Sequence, residues 1–98
     1  MKILLTHTFK RTTKKLHRNQ ISELEKAIQE IQNNPAVGDT KVGDLAGVRV
    51  YKFHKQHQLI LLAYTHNERN NELFLLSFTP HENFYKNMKK SKLIKYHL

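Results

Sequence analysis

Residues 72–85 read ELFLLSFTPHENFY, and this stretch decides the predicted fold. Residues 72–79 are mostly apolar and favour a β-strand. Residues 82–90 predict a helix, in which Phe84 and Met88 share one face because they are four residues apart. The stretch therefore predicts a strand that leads directly into a helix, with a histidine, a carboxylate and a tyrosine at the junction.

Two further strands precede this one. Residues 48–54 and 59–66 are rich in apolar and β-branched residues, and the turns at 55–58 and 67–71 are short and polar. Short polar turns join antiparallel neighbours. We therefore expect a three-stranded antiparallel meander in this half of the chain.

The N-terminal part of the chain predicts a strand and two helices. Residues 2–7 have the apolar character of a strand, and Thr8 is suited to cap a short helix that ends near His17. Asn19 is suited to cap a second helix. Pro35 ends that helix, because a proline disfavours the helical conformation of the residue before it.

The second helix is amphipathic. Its glutamates lie off a stripe of apolar residues spaced three and four apart, which is the spacing of one helix face. The stripe residues are Ile21, Leu24, Ile28 and Ile31. The segment that follows, residues 35–47, contains all three glycines, so we expect a loop there.

The order of elements, β-α-α-β-β-β-α, predicts an α+β fold: a four-stranded antiparallel sheet with an N-terminal helical hairpin on one face and a C-terminal helix. A chain of 98 residues suits one domain. Residues 1–98 are therefore expected to form a single domain, with 91–98 as a flexible tail. Two helices cover one face of the sheet, so a binding cleft is expected on the other face, beside the last helix.

The composition is strongly basic, since 17 Lys and Arg against 8 Asp and Glu give a formal net charge of +9. Such a charge favours polyanionic partners: nucleic acid, an anionic membrane surface or an acidic protein. No apolar run approaches the ~20 residues of a transmembrane helix, so we expect a cytoplasmic protein with no membrane partner. The chain has no cysteine, and His54 and His57 flank a turn with no third ligand nearby, so neither a metal nor another cofactor is expected.

Three local strings in this order resemble the RelE/ParE superfamily of bacterial type II toxins, over residues 1–90. The first is the helical pair that ends in Asn34 and Pro35. The second is 43-GDLAGVRVYK-52, which is similar to the family's entry to its second strand. The third is 72–85, which resembles the last strand and the histidine-to-aromatic segment of YafQ-like members.

This resemblance implies a ribosome-dependent endoribonuclease, an mRNA interferase that cuts translated mRNA and arrests growth. It also implies a cognate antitoxin encoded nearby, acidic or DNA-binding, through which alone the toxin would reach operator DNA. The ParE branch shares the fold but poisons DNA gyrase, and this is the second functional hypothesis. A non-catalytic nucleic-acid-binding module is the third.

The resemblance also assigns candidate catalytic residues. His81 matches a histidine that YafQ-like toxins use in acid–base chemistry, and Tyr85 matches an aromatic residue one helical turn later. Arg49 and Lys52 match basic strand positions. Ser77 is a departure, because many members carry an arginine there. Either the phosphate clamp comes from elsewhere, or the activity is weaker or different.

The chemistry leaves alternatives open at the junction. His81 is the best titrating candidate, since the reference pKa of histidine, ~6.5, lies near the working pH; otherwise it is an exposed loop residue. Glu82 is either its catalytic partner or a charge that favours the helix N-terminus. Tyr85 either stacks on a base or donates its hydroxyl in the cleft, or packs under the sheet.

Strand alternation separates the basic residues of the 48–54 strand. Arg49 shares a face with Tyr51, whereas Lys52 and His54 share the face of Val50. The valine face is expected to meet the helices, so Arg49 and Tyr51 are the expected cleft pair. Lys52 and His54 would reach the cleft where the strand leaves the core.

The candidate RNA- and ribosome-binding residues are basic. Lysine runs are often only solvated surface, but two clusters on one small chain favour a ribosomal RNA-facing surface. The candidates are Lys52, His54, Lys10, Lys14, Lys86, Lys89 and Lys90.

Overall fold

The computed structural model describes residues 1–55 and 58–80, so the predicted last helix over 82–90 and the tail over 91–98 lie outside the described residues. A short 3₁₀ turn at Gly43–Leu45 precedes the third strand. The remaining elements in chain order are β1 (Lys2–Leu5), α1 (His7–Lys14), α2 (Arg18–Asn33), β2 (Asp39–Thr40), β3 (Arg49–Lys55), β4 (Gln58–Asn67) and β5 (Glu72–Pro80).

The sheet has five strands in the order β1-β5-β4-β3-β2. The meander β3-β4-β5 is antiparallel, as predicted, but β1 pairs with β5 in parallel. The prediction of four antiparallel strands is therefore wrong, and the sheet is mixed. No turn joins β1 to β5: α1, α2 and the rest of the chain lie between them in sequence, so turn lengths carried no information about their pairing. The additional strand β2 is two residues long and lies inside the predicted loop.

Both helices begin at residues other than the predicted caps. The hydroxyl of Thr6, not Thr8, accepts a hydrogen bond from the Phe9 N–H at 3.0 Å and caps α1. His17, not Asn19, is the N-cap of α2, and the Gln20 side-chain oxygen accepts from its backbone N–H at 2.9 Å. α2 ends at Asn33, which agrees with the stop predicted from the proline two residues later.

The two helices pack on one side of the sheet, which we call the helix face. Phe9 of α1 lies against Phe78 of β5, with ring centroids 5.7 Å apart. Three of the four predicted stripe positions of α2 contact the core: two are buried, and Ile28 is half-buried and packs against the same cluster. The fourth, Ile21, is 38% exposed, and Ala27 is buried in addition to the predicted residues. The buried residues from α2 are Leu24, Ala27 and Ile31, and those from the sheet are Ile60, Leu62, Tyr64, Leu73, Leu75 and Phe78.

The opposite side of the sheet, the outer face, has its own buried cluster. The prediction that the valine face of β3 meets the helices is wrong, because Tyr51 and Phe53 pack against the helix-face cluster instead. Each face of β3 carries apolar residues, so alternation alone did not say which face the helices cover. The outer-face cluster consists of Val48, Val50, Leu61, Ala63 and Leu76.

A β-bulge in β5 resets the alternation of that strand. Ala63 lies opposite Ser77 and Tyr64 lies opposite Leu75, so Leu76 is an extra residue. The Thr6 hydroxyl donates to the carbonyl oxygen of Leu76 at 2.6 Å in the interior, which ties the bulge to the start of α1. Beyond the bulge, Phe78 lies on the helix face. Ser77 and Thr79 lie on the outer face, opposite Ala63 and Leu61.

Candidate functional site

The register of the sheet builds a row across the outer face near the end of β5. Lys52 of β3 lies opposite Leu61 of β4, and Leu61 lies opposite Thr79 of β5. With strands ~4.8 Å apart, the backbones of Lys52 and Thr79 are about 10 Å apart. His54 is exposed one row further along, opposite Leu59. The cationic end of β3 and the end of β5 are therefore neighbours on one face.

Lys52 has an anionic neighbour on the same face. Its Nζ lies 3.4 Å from the Asp39 Oδ2, and both side chains are largely exposed, at 47% and 65%. Asp39 belongs to β2, where it lies opposite Val50. The charge that faces solvent here is therefore an ion pair and not an isolated lysine.

Arg49 and Tyr64 hold the segment that connects α2 to β2. They are cross-strand partners on the helix face. One guanidinium nitrogen of Arg49 donates to the carbonyl oxygens of Gly38 at 2.9 Å and Ala36 at 3.2 Å. The Tyr64 hydroxyl donates to the Pro35 carbonyl at 2.6 Å and accepts from the Gly38 N–H at 2.9 Å. We call these four hydrogen bonds the Arg49–Tyr64 clamp.

The clamp is tightly packed. Burial raises the pKa of the Tyr64 hydroxyl, against the lowering effects of the Gly38 backbone and the Arg49 charge, so it remains a proton donor at neutral pH. A Cβ at Gly38 would lie 2.8 Å from the Tyr64 ring and hydroxyl, so this position requires glycine. Sequence reasoning missed Tyr64; the available signal was a hydroxyl in an otherwise apolar strand, which needs a partner when buried.

Comparison with known protein families decides the identity of the fold. Residues 3–89 match the model of the ParE-like toxin of type II bacterial toxin–antitoxin systems. The chain belongs to this toxin family. The expected membership of the RelE/ParE superfamily is thereby confirmed. No curated protein matches the sequence of this ParE-like toxin.

Solved structures share the fold of the toxin at low sequence identity. An arginine-to-alanine double mutant of E. coli toxin RelE in the free state superposes with a TM-score of 0.73, at 16% identity, over 99% of this chain and 97% of that one. The RelBE2 toxin–antitoxin complex from Mycobacterium tuberculosis gives 0.68 at 21% identity, over 82% and 96%. The intact E. coli RelBE complex gives 0.65 at 16% identity, over 79% and 92%. These likenesses establish a RelE-like fold.

The expected cleft pair of the toxin, Arg49 and Tyr51, is on the helix face. The Tyr51 ring packs against the helix-face cluster, and the Arg49 guanidinium is engaged with two carbonyl oxygens. A catalytic role of Arg49 stays a prediction, while its contacts favour a structural role. Lys52 and His54, placed second by sequence reasoning, are the basic strand residues on the outer face.

Removing the Tyr64 hydroxyl tests the clamp. Tyr64→Phe is expected to lower the free energy of unfolding by about 1–3 kcal/mol, because a buried N–H and a carbonyl lose their partner. Tyr51→Phe is the matched control and should change it by less than about 0.5 kcal/mol, since within residues 1–55 and 58–80 the Tyr51 hydroxyl has no hydrogen bond. Urea unfolding measures both variants. Equal effects of the two would contradict the clamp.

The basic face of α1 forms a second positive surface on the toxin. The predicted binding residues Lys10 and Lys14 are exposed. In the described part of the chain, the ion pairs are Lys26–Glu23 and Lys52–Asp39, so this surface has no acidic partner there. The basic residues of α1 and the following turn are Lys10, Arg11, Lys14, Lys15 and Arg18.

The other predicted site residues of the toxin lie outside the described residues: His81, Glu82, Tyr85, Lys86, Lys89 and Lys90. Among residues 1–55 and 58–80, no group of three or more His, Asp or Glu side chains could hold a metal ion. In the same part of the chain, neither helix is long and apolar enough to cross a membrane.

Proposed function

We propose that this toxin is a ribosome-dependent endoribonuclease that cuts translated mRNA. The observation that carries the proposal is the row Lys52–Leu61–Thr79 on the outer face. It brings a cationic strand to within about 10 Å of the end of β5, and His81 follows β5 in the chain after Pro80. An acid–base residue beside cations is what cleavage of a phosphodiester requires.

The reaction is an internal transesterification of the RNA. The 2′-oxygen forms a bond to the adjacent phosphorus while the bond from phosphorus to the 5′-oxygen breaks, leaving a cyclic phosphate and a free 5′-hydroxyl. A base takes the 2′-hydroxyl proton and an acid gives a proton to the leaving oxygen. His81 serves in this acid–base chemistry with Glu82 as its partner, and Tyr85 stacks on a base or donates its hydroxyl. Lys52 and His54 offset the charge that develops on the phosphate.

Binding to the ribosome would use the basic face of α1. Lys10 and Lys14 are exposed and form no ion pair within the described part of the chain, which favours contact with a phosphate backbone. Lys86, Lys89 and Lys90 extend the basic character beyond the described residues. Because counterions are released from the RNA, the affinity should fall steeply with added salt.

A cognate antitoxin would hold the toxin inactive. Two of the structural neighbours are RelBE toxin–antitoxin complexes. The net charge of +9 favours an acidic antitoxin segment that folds as it wraps the basic surface. Operator DNA would be bound through the antitoxin, and both partners would act in the cytoplasm, where the ribosomes are.

Inhibition of gyrase is the second candidate, and one observation favours it. Ser77 lies on the outer face, at a position where many RelE/ParE superfamily members carry an arginine. Ser77 is only 2% exposed. It therefore offers no cation to the substrate phosphate. The matching family is also named for ParE. A protein-binding inhibitor with this fold would need neither His81 nor Tyr85.

A translation extract separates the two candidates. Purified toxin is added to labelled mRNA with and without ribosomes, and the products are mapped by primer extension. We expect cuts within codons of the translated region, and intact RNA when ribosomes are absent. Intact mRNA in the complete extract, together with altered supercoiling in a gyrase assay, would replace the nuclease with the gyrase inhibitor.

A further inference from the structure

We infer that Asp39 is a built-in competitor of the RNA phosphate for Lys52, and that it weakens RNA binding on the outer face. The inference rests on the proposed function, because it concerns how the same face meets its substrate. It identifies Asp39 as a residue that tunes substrate binding, although no sequence motif marks this position.

The geometry shows a direct competition for one ammonium group. The Asp39 carboxylate lies 3.4 Å from Lys52 Nζ. An RNA phosphate that contacts this ammonium must displace the carboxylate or share the lysine with it. Sharing sets two anions side by side, and like charges repel. Either way, part of the attraction between Lys52 and RNA is lost to Asp39.

The backbone that carries the carboxylate is held in place by the fold. Asp39 pairs with Val50 in the sheet. The residue before it, Gly38, is bound by the Arg49–Tyr64 clamp at both its N–H and its carbonyl oxygen. The Cα of Asp39 therefore stays within reach of Lys52 when RNA arrives. Stabilisation of the fold does not explain the pair, since ion pairs between exposed side chains contribute little to folding.

The basic face of α1 gives the contrast. Its cations have no acidic partner among the described residues, whereas the outer-face lysine has one. RNA held by α1 therefore keeps its full electrostatic attraction, while a free RNA strand meets a weakened outer face. This arrangement favours substrate delivered by a larger assembly over RNA captured directly from solution.

The test compares Asp39→Asn with Glu23→Gln. Both variants raise the net charge by one, and both remove the carboxylate of an exposed ion pair; Glu23 pairs with Lys26 on α2 at 3.6 Å. Affinity for a short fluorescein-labelled single-stranded RNA is measured by anisotropy over a KCl series, with the full chain. Asp39→Asn should bind about two- to fivefold more tightly, the range expected for one exposed pair, with a steeper salt dependence. Glu23→Gln should stay close to wild type.

A double-mutant cycle with Lys52→Met completes the test. In that background Asp39→Asn should no longer tighten binding, because the competition needs the lysine. Equal effects of Asp39→Asn and Glu23→Gln, or a gain that persists in Lys52→Met, would overturn the inference while the nuclease proposal stands. No salt-dependent affinity for RNA in either wild type or Asp39→Asn would also overturn the inference, whereas the nuclease proposal is tested by the translation extract.

Discussion

His81→Ala is expected to slow mRNA cleavage by about 10²- to 10⁴-fold, the usual loss when an acid–base group is removed. Histidine titrates near neutral pH, at ~6.5, so it both accepts and donates a proton under working conditions. Alanine does neither. The rate is measured as the appearance of cut mRNA in a translation extract under single-turnover conditions.

Two controls separate chemistry from binding. His7→Ala, which removes an exposed histidine at the start of α1, should cleave like wild type. Sedimentation with ribosomes should be unchanged for His81→Ala, because the lysine surfaces carry that affinity. Tyr85→Phe should be milder than Tyr85→Ala if the ring stacks. Full growth arrest with intact mRNA in both His81→Ala and Tyr85→Ala would refute the nuclease.

Ile31→Ala is expected to lower the free energy of unfolding by about 2–5 kcal/mol. Ile31 is fully buried between α2 and the sheet, so truncation removes apolar contacts and leaves a cavity. A domain of this size has a total stability of about 5–15 kcal/mol, so the loss would be a large part of it. Urea unfolding followed by circular dichroism gives the change, provided that the slope with denaturant stays constant.

Ile21→Ala on the same helix is the matched control. Ile21 belongs to the predicted stripe but is 38% exposed, so the expected loss is below about 1 kcal/mol. Ile28→Ala should fall between the two, because Ile28 is half-buried. Equal losses at all three positions would mean that α2 does not present the face seen in the structure.

Much of the fold was predictable because its signals are local. Each of these signals acts within a few residues of the chain. They are the spacing of three and four between apolar residues of α2, the polar turns of the meander, and the proline after α2. The candidate site was predictable in part. Lys52 and His54 were selected as basic residues of the strand, but the face assignment was reversed, since each face of β3 carries apolar residues that pack in a cluster.

The clamp and the Lys52–Asp39 pair could not be predicted from local pattern. Arg49 was selected as a basic strand residue, but its partners are backbone carbonyls of the segment after α2. Lys52 meets Asp39 because a two-residue strand forms inside the predicted loop. Such contacts depend on which segments the whole fold brings together, and any carboxylate of the loop would have been an equal candidate from sequence alone.

By itself the sequence determined the identity and order of the helices and of the β3–β5 meander, the basic charge and the superfamily, because propensity, periodicity and turn chemistry are properties of neighbouring residues. The tertiary structure alone decided the parallel pairing of β1 with β5 and the bulge at Leu76. The bulge puts Phe78 against Phe9 and sends Thr79 to the face of Lys52. One extra residue in one strand reverses every side chain beyond it, and the carbonyl oxygen of that residue accepts a hydrogen bond from Thr6, near the other end of the described chain.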